Sequence, residues 1–437
     1  MSKPTTIILG GGLAGLSAAE QLGSEAQLYE QREELGGLCQ QVVVDGFRFD
    51  AVPHVLHFQH EATRLWMNTL LGGGLQRFAR CAGVYSHGTY IRYPFQAHLF
   101  GLPPSVIDEC VQARLQAGQR GQPDSTTFGR WIRSTFGDGI ANHFMEPYNR
   151  KFWTLPTEEL TCEWLDGLVP VPSLTDTLRG ASRRDPSEYG YNVEFWYPGQ
   201  GGLGAILQAF LRKLPEIRLA KRLVRLDTSA RRLQFSDGEE LAYDHVLSSI
   251  PLPEWKGLLD PLPEAVADAL DRLRWTSLAV LHLGIQGTPP VPWHWIYVPG
   301  SEIACYRVGI PSHYAPDAAP PGHYILSVEI SHAPWRVIDP RSITAQTIRD
   351  LVRMGLVRHE REIAAKTLLN LRYGYPIYDH HYRQATTTVR EHLERHGVHV
   401  MGRFGSWRYL SMEQTLLDGQ RVAQSVLNAI GDEALSR

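Results

Sequence analysis

Gly10, Gly12 and Gly15, in "LGGGLAGL", have the spacing G-x-G-x-x-G, and Glu30 stands twenty residues after Gly10. Glycines so spaced let backbone close on a pyrophosphate at a helix N-terminus, while a carboxylate ending the next strand takes ribose hydroxyls. Leu13 and Ala14 lie inside the same turn and Gln31 follows the acid, so all three belong to the expected dinucleotide site. The next stretch, "REELGGLC", holds Arg32, Gly36, Gly37 and Leu38 in an Arg-x-x-x-Gly-Gly pattern that favours FAD over NAD. A second G-x-G-x-x-G, at Gly199, Gly201 and Gly204, follows an aromatic strand and opens a helix. It has no strand-ending acid at the matching distance. It therefore reads as a backbone loop close to the flavin, through Gly201 and Gly202, rather than as an NADPH site.

A different chemistry is suggested further along. "YIRYPFQ" holds Tyr93 and Gln96; "WHWIYVPGSEIACYRVGIPSHY" holds Trp295, Tyr297, Tyr306, Arg307 and Tyr314; "YGYP" holds Tyr375; and "GRFGSWRY" holds Gly402, Arg403 and Tyr409. Guanidinium groups bind diphosphate oxygens in bidentate fashion, and phenols stack on a base and donate to phosphate. Any single strand tyrosine is ordinary half-buried packing. As a set, they suit a nucleotide-sugar.

The elements that must position these residues begin as strand, turn, helix, strand over "TTIILG", "GGLAGLSAAEQLG" and "AQLYEQ", a βαβ start. Helical patterns fill "PPSVIDECVQARLQAG" and "TTFGRWIRSTFGDGIANHFME"; a β-meander spans 217–250; and strands are expected at "TSLAVLHLGI", "HYILSVEISH" and "VHVMGR". Helices are expected at "SITAQTIRDLVRMGLVR" and "LLDGQRVAQSVLNAI". The fold class implied is α/β. A Rossmann-like FAD domain is built from residues 1–79, 191–262 and 386–437, a helical domain is inserted at 98–190, and a mixed sheet domain is formed by 80–97 and 263–385.

Lys+Arg 43 against Asp+Glu 46 leaves a charge of -3, so no overall basic field exists for nucleic acid or an anionic membrane, and any anion site must be local. Five scattered cysteines without a C-x-x-C pair speak against a disulfide framework or a structural zinc and point to a reducing compartment. No stretch approaches the ~20 apolar residues of a membrane helix. A soluble cytoplasmic protein with no bound metal is expected. Its oligomeric state is not legible.

"YPFQ", "PYNRKFW", "WIYVPG…CYR…HY", "GYP" and "GRFGSWRY" occur in the order found in UDP-galactopyranose mutases, and the chain resembles that family, particularly its eukaryotic-type members, over residues 9 to about 425. The wider resemblance is to FAD amine oxidase and protoporphyrinogen oxidase-like enzymes. The resemblance implies a flavoprotein that interconverts pyranose and furanose forms of a nucleoside-diphosphate sugar without net redox change. Reduced flavin N5 serves as nucleophile at the anomeric carbon, with NADPH or NADH as possible electron donor. By position, Arg307 and Arg403 would hold the diphosphate, with Tyr297, Tyr314, Tyr375 and Tyr409 donating around it. Trp295 would line the sugar pocket, Asn149 would contact the sugar, Tyr93 would stack on the base and Gln96 would read its edge. His54 matches a histidine against the flavin ring, and Gly402 approaches the flavin. Three features depart from the family. Val52-Pro53 replace two glycines before His54, Glu413 stands where asparagine is usual, and Glu146 lies near a bacterial arginine. Glu413 is accordingly expected at the substrate, as a mark of a changed sugar. The other reading is an FAD oxidoreductase, amine oxidase-like or protoporphyrinogen oxidase-like, acting on a small molecule.

Overall fold

The computed structural model describes residues 5–119, 121–165, 167–190, 192–214 and 217–435. Its first strand, Thr6–Leu9, is buried at all four positions, as a strand covered on both faces must be. It is central in a parallel sheet ordered Val398–Val400, His245–Ser248, Thr6–Leu9, Ala26–Tyr29 and Ile217–Arg218. The two ends of the chain and its middle thus build one layer. Helix Leu13–Leu22 leads from the first strand to its neighbour, and the terminal helix Met412–Leu435 packs on it. A Cβ on Gly15 would stand 1.9 Å from the Gly10 carbonyl oxygen, and one on Gly419 2.3 Å from that of Ala14. Only glycine permits contacts this close.

A seven-stranded sheet runs Ile363–Pro376, Trp275–Gln286, His323–His332, Arg307–Gly309, Trp295–Tyr297, Ala82–Ser86 and Thr89–Arg92. Alternation along its strands makes two faces. Leu281, Leu283 and Val328 pack under helix Pro340–Arg353 through Ile348 and Leu351, whereas Val280 joins Tyr306 and Val52 on the other side.

Helices Pro104–Gly118, Phe128–Ile140, Glu146–Trp153 and Leu174–Ser182 make up the helical part. The long helix expected through "TTFGRWIRSTFGDGIANHFME" is interrupted by Gly137, at φ 78°, and by a π-turn at Ala141–Met145. The cause is crowding: a Cβ on Gly137 would lie 2.2 Å from the Ala113 carbonyl oxygen. The interruption resets the phase of the following helix, whose Tyr148, Asn149 and Phe152 line the main cavity. Helix Tyr382–Arg395 is not legible in "YRQATTTVREHLER", where consecutive threonines disguise the period. In the structure the Thr386 and Thr388 hydroxyls bond back to the Tyr382 and Gln384 carbonyls at 2.8 and 3.0 Å. The terminal helix starts earlier than its apolar pattern suggests because Ser411 and Gln414 form a capping box.

Candidate functional site

The first-turn amides of helix Leu13–Leu22 receive no side-chain cap at Gly12 and no acidic residue among the described residues. Glu30 accepts from the Gly11 N–H at 2.6 Å and the Arg32 N–H at 2.9 Å, which fixes its carboxylate at the mouth of the glycine turn. The Gly36 N–H donates to the Gly11 carbonyl at 2.8 Å, and a Cβ on Gly37 would approach Gly12 to 3.3 Å. The two glycine stretches therefore form one backbone cradle at an uncapped helix N-terminus, which fits a dinucleotide pyrophosphate. Leu13 and Ala14 are buried in its floor, Leu38 is half-buried beside it, and Gln31 is exposed at its rim.

A cavity of about 220 Å³ lies between the helical part and the seven-stranded sheet. Eleven of the expected residues meet there: His54, Tyr93, Gln96, Asn149, Trp295 and Tyr297, with Arg307, Tyr314, Tyr375, Arg403 and Tyr409. Among the described residues no Asp, Glu or Lys lines it.

Both arginines are clamped along one edge. Arg307 donates through Nε and Nη2 to Glu329, with Nη2 to Oε1 at 2.7 Å. Glu329 is fully buried and also accepts from the Tyr306 hydroxyl at 3.0 Å. Although burial opposes its charge, the adjacent Glu329 carboxylate keeps Arg307 protonated. Arg403 donates through Nε and Nη2 to the Leu410 carbonyl, at 2.9 Å from Nε, and lies over the rings of Tyr375 and Tyr409 at 5.6 and 5.1 Å. In each case Nη1 has no hydrogen-bond partner among the described residues.

His54 lies on a tight turn in which its N–H donates to the Val52 carbonyl at 2.7 Å, with Pro53 between them. Val52 is buried against Leu278 and Tyr306, so the residues replacing glycine act as a packed wedge. Burial, then the charges of Arg403 and Arg307, bring His54 down to about 3. The imidazole is neutral at any physiological pH. Burial likewise pushes the Tyr375 phenol up to about 12, so it remains a hydrogen-bond donor. Gln96 spends Nε2 on the Pro170 carbonyl at 2.7 Å, leaving Oε1 buried without a partner among the described residues. Asn149 donates to the Met145 carbonyl at 2.7 Å. The ring of Tyr93 packs against Tyr297 at 4.5 Å, with the Arg80 guanidinium 5.0 Å above it.

One expectation is corrected. Glu413 is fully buried and accepts from the backbone N–H groups of Gln59 and His60 at 2.7 and 3.0 Å. It caps helix Glu61–Leu70, whose N-cap His60 supplies no side-chain bond. The unpaired amides of that helix start draw the carboxylate away from the cavity. Gly402 has a φ of 72°, and a Cβ there would lie 2.7 Å from that of Ala14. Gly201 and Gly202 face the hairpin Gln41–Asp50: the Gln41 amide donates to the Gly201 carbonyl at 3.1 Å, and Asp50 accepts from the Leu203 N–H at 3.3 Å. Glu146, by contrast, is simply paired with Arg133 at 2.8 Å.

Sequence reasoning missed Glu329, Arg80 and Lys151. Glu329 sits in an apolar strand, where a lone carboxylate implies a buried cation. Lys151 donates to the Val298 and Cys305 carbonyls at 2.9 and 2.8 Å, tying helix Glu146–Trp153 to the hairpin that carries Tyr297 and Arg307; burial lowers it to about 8.

The model of the flavin containing amine oxidoreductase family matches residues 13–427. The chain belongs to this family. It is thus a flavin enzyme of the amine oxidase superfamily, and the cradle at Gly12 and Gly37 fits FAD. A solved structure of reduced UDP-galactopyranose mutase is 26% identical, with a TM-score of 0.91 over 98% of this chain and 96% of that one. The zeta-carotene-forming phytoene desaturase of Myxococcus xanthus is 24% identical over 82% of this chain and 78% of its own length. The 4,4'-diapolycopene oxygenase of Methylomonas sp is 26% identical over 65% of this chain, a match spanning 63% of that oxygenase. No helix among the described residues is long and apolar enough to cross a membrane.

Proposed function

We propose that the protein is an FAD-dependent mutase that interconverts the pyranose and furanose forms of a nucleoside-diphosphate sugar, UDP-galactose-like, with no net redox change. The observation that carries this reading is the pair of edge-clamped guanidinium groups, Arg307 and Arg403, facing one cavity with the phenols of Tyr297, Tyr314, Tyr375 and Tyr409 and, among the described residues, no carboxylate. Such a donor set suits a diphosphate, whose charge it neutralises both in the bound substrate and as a leaving group. Reduced flavin supplies the nucleophile for the anomeric carbon.

The chain does the rest. Arg307 and Arg403 retain the departing diphosphate, and the hydroxyls of Tyr297, Tyr314, Tyr375 and Tyr409 donate to it. Neutral His54 packs at the flavin end without adding a charge that would compete for the phosphates. Oε1 of Gln96 accepts an N–H from the base edge, Tyr93 supplies the stacking face, and Asn149 and Trp295 border the sugar. NADPH or NADH would serve as reductant, at a site not assigned to any residue.

The names of the curated relatives favour a second reading, an oxidoreductase acting on an apolar small molecule. A polyene would, however, leave the Arg403 guanidinium, bonded to the Leu410 carbonyl, without a counter-anion among the described residues. The discriminating experiment is to reduce the holoenzyme with dithionite, offer UDP- and dTDP-pyranoses, and follow furanose formation by chromatography. UDP should bind, and Arg403→Ala should weaken it by about 2 kcal/mol. Absence of any UDP or dTDP binding to the reduced holoenzyme would sink the reading.

A further inference from the structure

The two most exposed large apolar side chains among the described residues, Trp335 at 75% and Val337 at 92%, are nearly adjacent in sequence. They flank Arg336 and lead straight into helix Pro340–Arg353. That helix buries Thr347, Ile348 and Leu351 against the outer face of the seven-stranded sheet, opposite the face that carries Val280 and Tyr306 toward the cavity. Its exposed positions include Arg341, Ala345, Arg349 and Arg353. Spacings of four place these along one stripe of the helix, with Val352 also exposed beside them. Arg358 and Arg361 continue the series just beyond the helix end.

None of these six arginines has an ion-pair partner among the described residues; Arg349 donates only to Gln346, at 2.8 Å. The nearby acids offset them in part. Asp339 is committed to capping the helix through the Arg341 and Ser342 N–H groups, and Asp350 is buried, accepting from the Ala304 N–H and the Gln346 amide. Glu360 and Glu362 lie at the far end, where Glu362 accepts from the Arg358 N–H. A chain of net charge -3 thus carries a local basic strip about 21 Å long, the length of a 14-residue helix, tipped at one end by an exposed indole and an isopropyl group.

We propose that this strip is a peripheral docking surface for an anionic lipid bilayer. The arginines are drawn to headgroup phosphates while Trp335 and Val337 enter the interfacial region, as a helix that lies on a membrane rather than spanning it requires. The apolar tip favours a bilayer over nucleic acid, since a phosphate backbone would satisfy the arginines but leave Val337 in water. Docking through the outer face of the sheet leaves the cavity on the other face accessible, so an enzyme resting on the bilayer would still exchange a water-soluble substrate. The placement stands independently of the reaction proposed above.

The test uses the full-length FAD-loaded protein with sedimenting vesicles of phosphatidylcholine, with or without phosphatidylglycerol. Binding to the anionic vesicles only, and its release by salt, is expected. The double variant Arg349→Glu/Arg353→Glu should lower partitioning about tenfold or more. Trp335→Ala/Val337→Ser should lower it with an unchanged salt slope, and both variants should keep the wild-type flavin spectrum. Lack of wild-type binding to phosphatidylglycerol vesicles overturns the proposal. So does binding that neither double variant weakens, because the contact then lies elsewhere, and so does retention on a heparin column without any vesicle binding, which would indicate an acidic macromolecule instead.

Discussion

Two helix N-termini in this protein follow the same glycine spacing and have opposite fates. At Gly10–Gly15 the loop leaves the central strand of a parallel sheet, and the amides of the first turn are open. At Gly199–Gly204 the loop leaves strand Glu194–Pro198, which pairs with Leu75–Ala79 in an antiparallel ribbon and is bridged on its other side by Leu56. There the N-terminus is stopped by Asp50, which also accepts from Gln41 at 2.7 Å and from the Tyr197 hydroxyl. The third glycines differ as well. A Cβ on Gly15 would strike backbone, whereas one on Gly204 would meet the Gln41 side chain at 2.2 Å, which can move. Glycine spacing makes a helix start approachable; which anion approaches depends on the neighbouring chain. One helix start is left without a side-chain cap, and the other is filled by the protein's own carboxylate.

The strongest way to break the contrast is to give the first helix a carboxylate of its own. Gly12 has φ -80° and ψ -178°, an ordinary N-cap conformation, and a Cβ there finds its nearest neighbour at 3.9 Å. Gly12→Asp should therefore fold, with its apoprotein stabilised by roughly a few tenths of a kcal/mol, yet lose FAD affinity by roughly a hundredfold or more through repulsion of the pyrophosphate. Flavin content after purification, read beside the urea midpoint of the apoprotein, checks both halves; full FAD retention would mean that the cradle is not the phosphate site.

Next in size is removal of the plug. Asp50→Ala should cost about 2–3 kcal/mol in urea unfolding by stranding the buried donors of Tyr197, Gln41 and Leu203, while flavin stoichiometry stays at the wild-type level. A loss of flavin of the same size as the loss of stability would erase the distinction between the two loops. Glu413→Ala tests a third helix start, capped like the second, and should cost about 1–2 kcal/mol with little change in UDP affinity. A large drop in UDP binding at unchanged stability would return Glu413 to the substrate.

The smallest effect is a pH slope. Burial raises Asp50 above its usual 3.8, against the opposing bonds from Tyr197, Gln41 and Leu203. The folded chain then holds a proton that the unfolded chain has released, so stability from this group is present below the ordinary carboxylate range and is lost as pH rises through the raised value. Asp50→Asn should remove that decline, and the wild-type and variant unfolding free energies, measured from pH 4 upward, should converge or cross accordingly. Parallel curves would mean that Asp50 is ionised in the fold throughout.

The sequence alone carried the βαβ start, the FAD-type glycine stretches and the set of arginines and tyrosines that share the cavity, because each depends on local spacing or on residue type. The α/β architecture followed from the alternation of strand and helix patterns. Tertiary structure decided the rest. Nothing near Glu413 in sequence indicates that the unpaired amides of Gln59 and His60 lie above it, and nothing near Gly201 announces Asp50. Glu329 becomes the counter-ion of Arg307 only when strands His323–His332 and Arg307–Gly309 pair. A carboxylate is equally plausible in sequence as ligand, cap or plug. Its role is set by which buried donors the fold brings to it, since a charge in the interior must find a partner there.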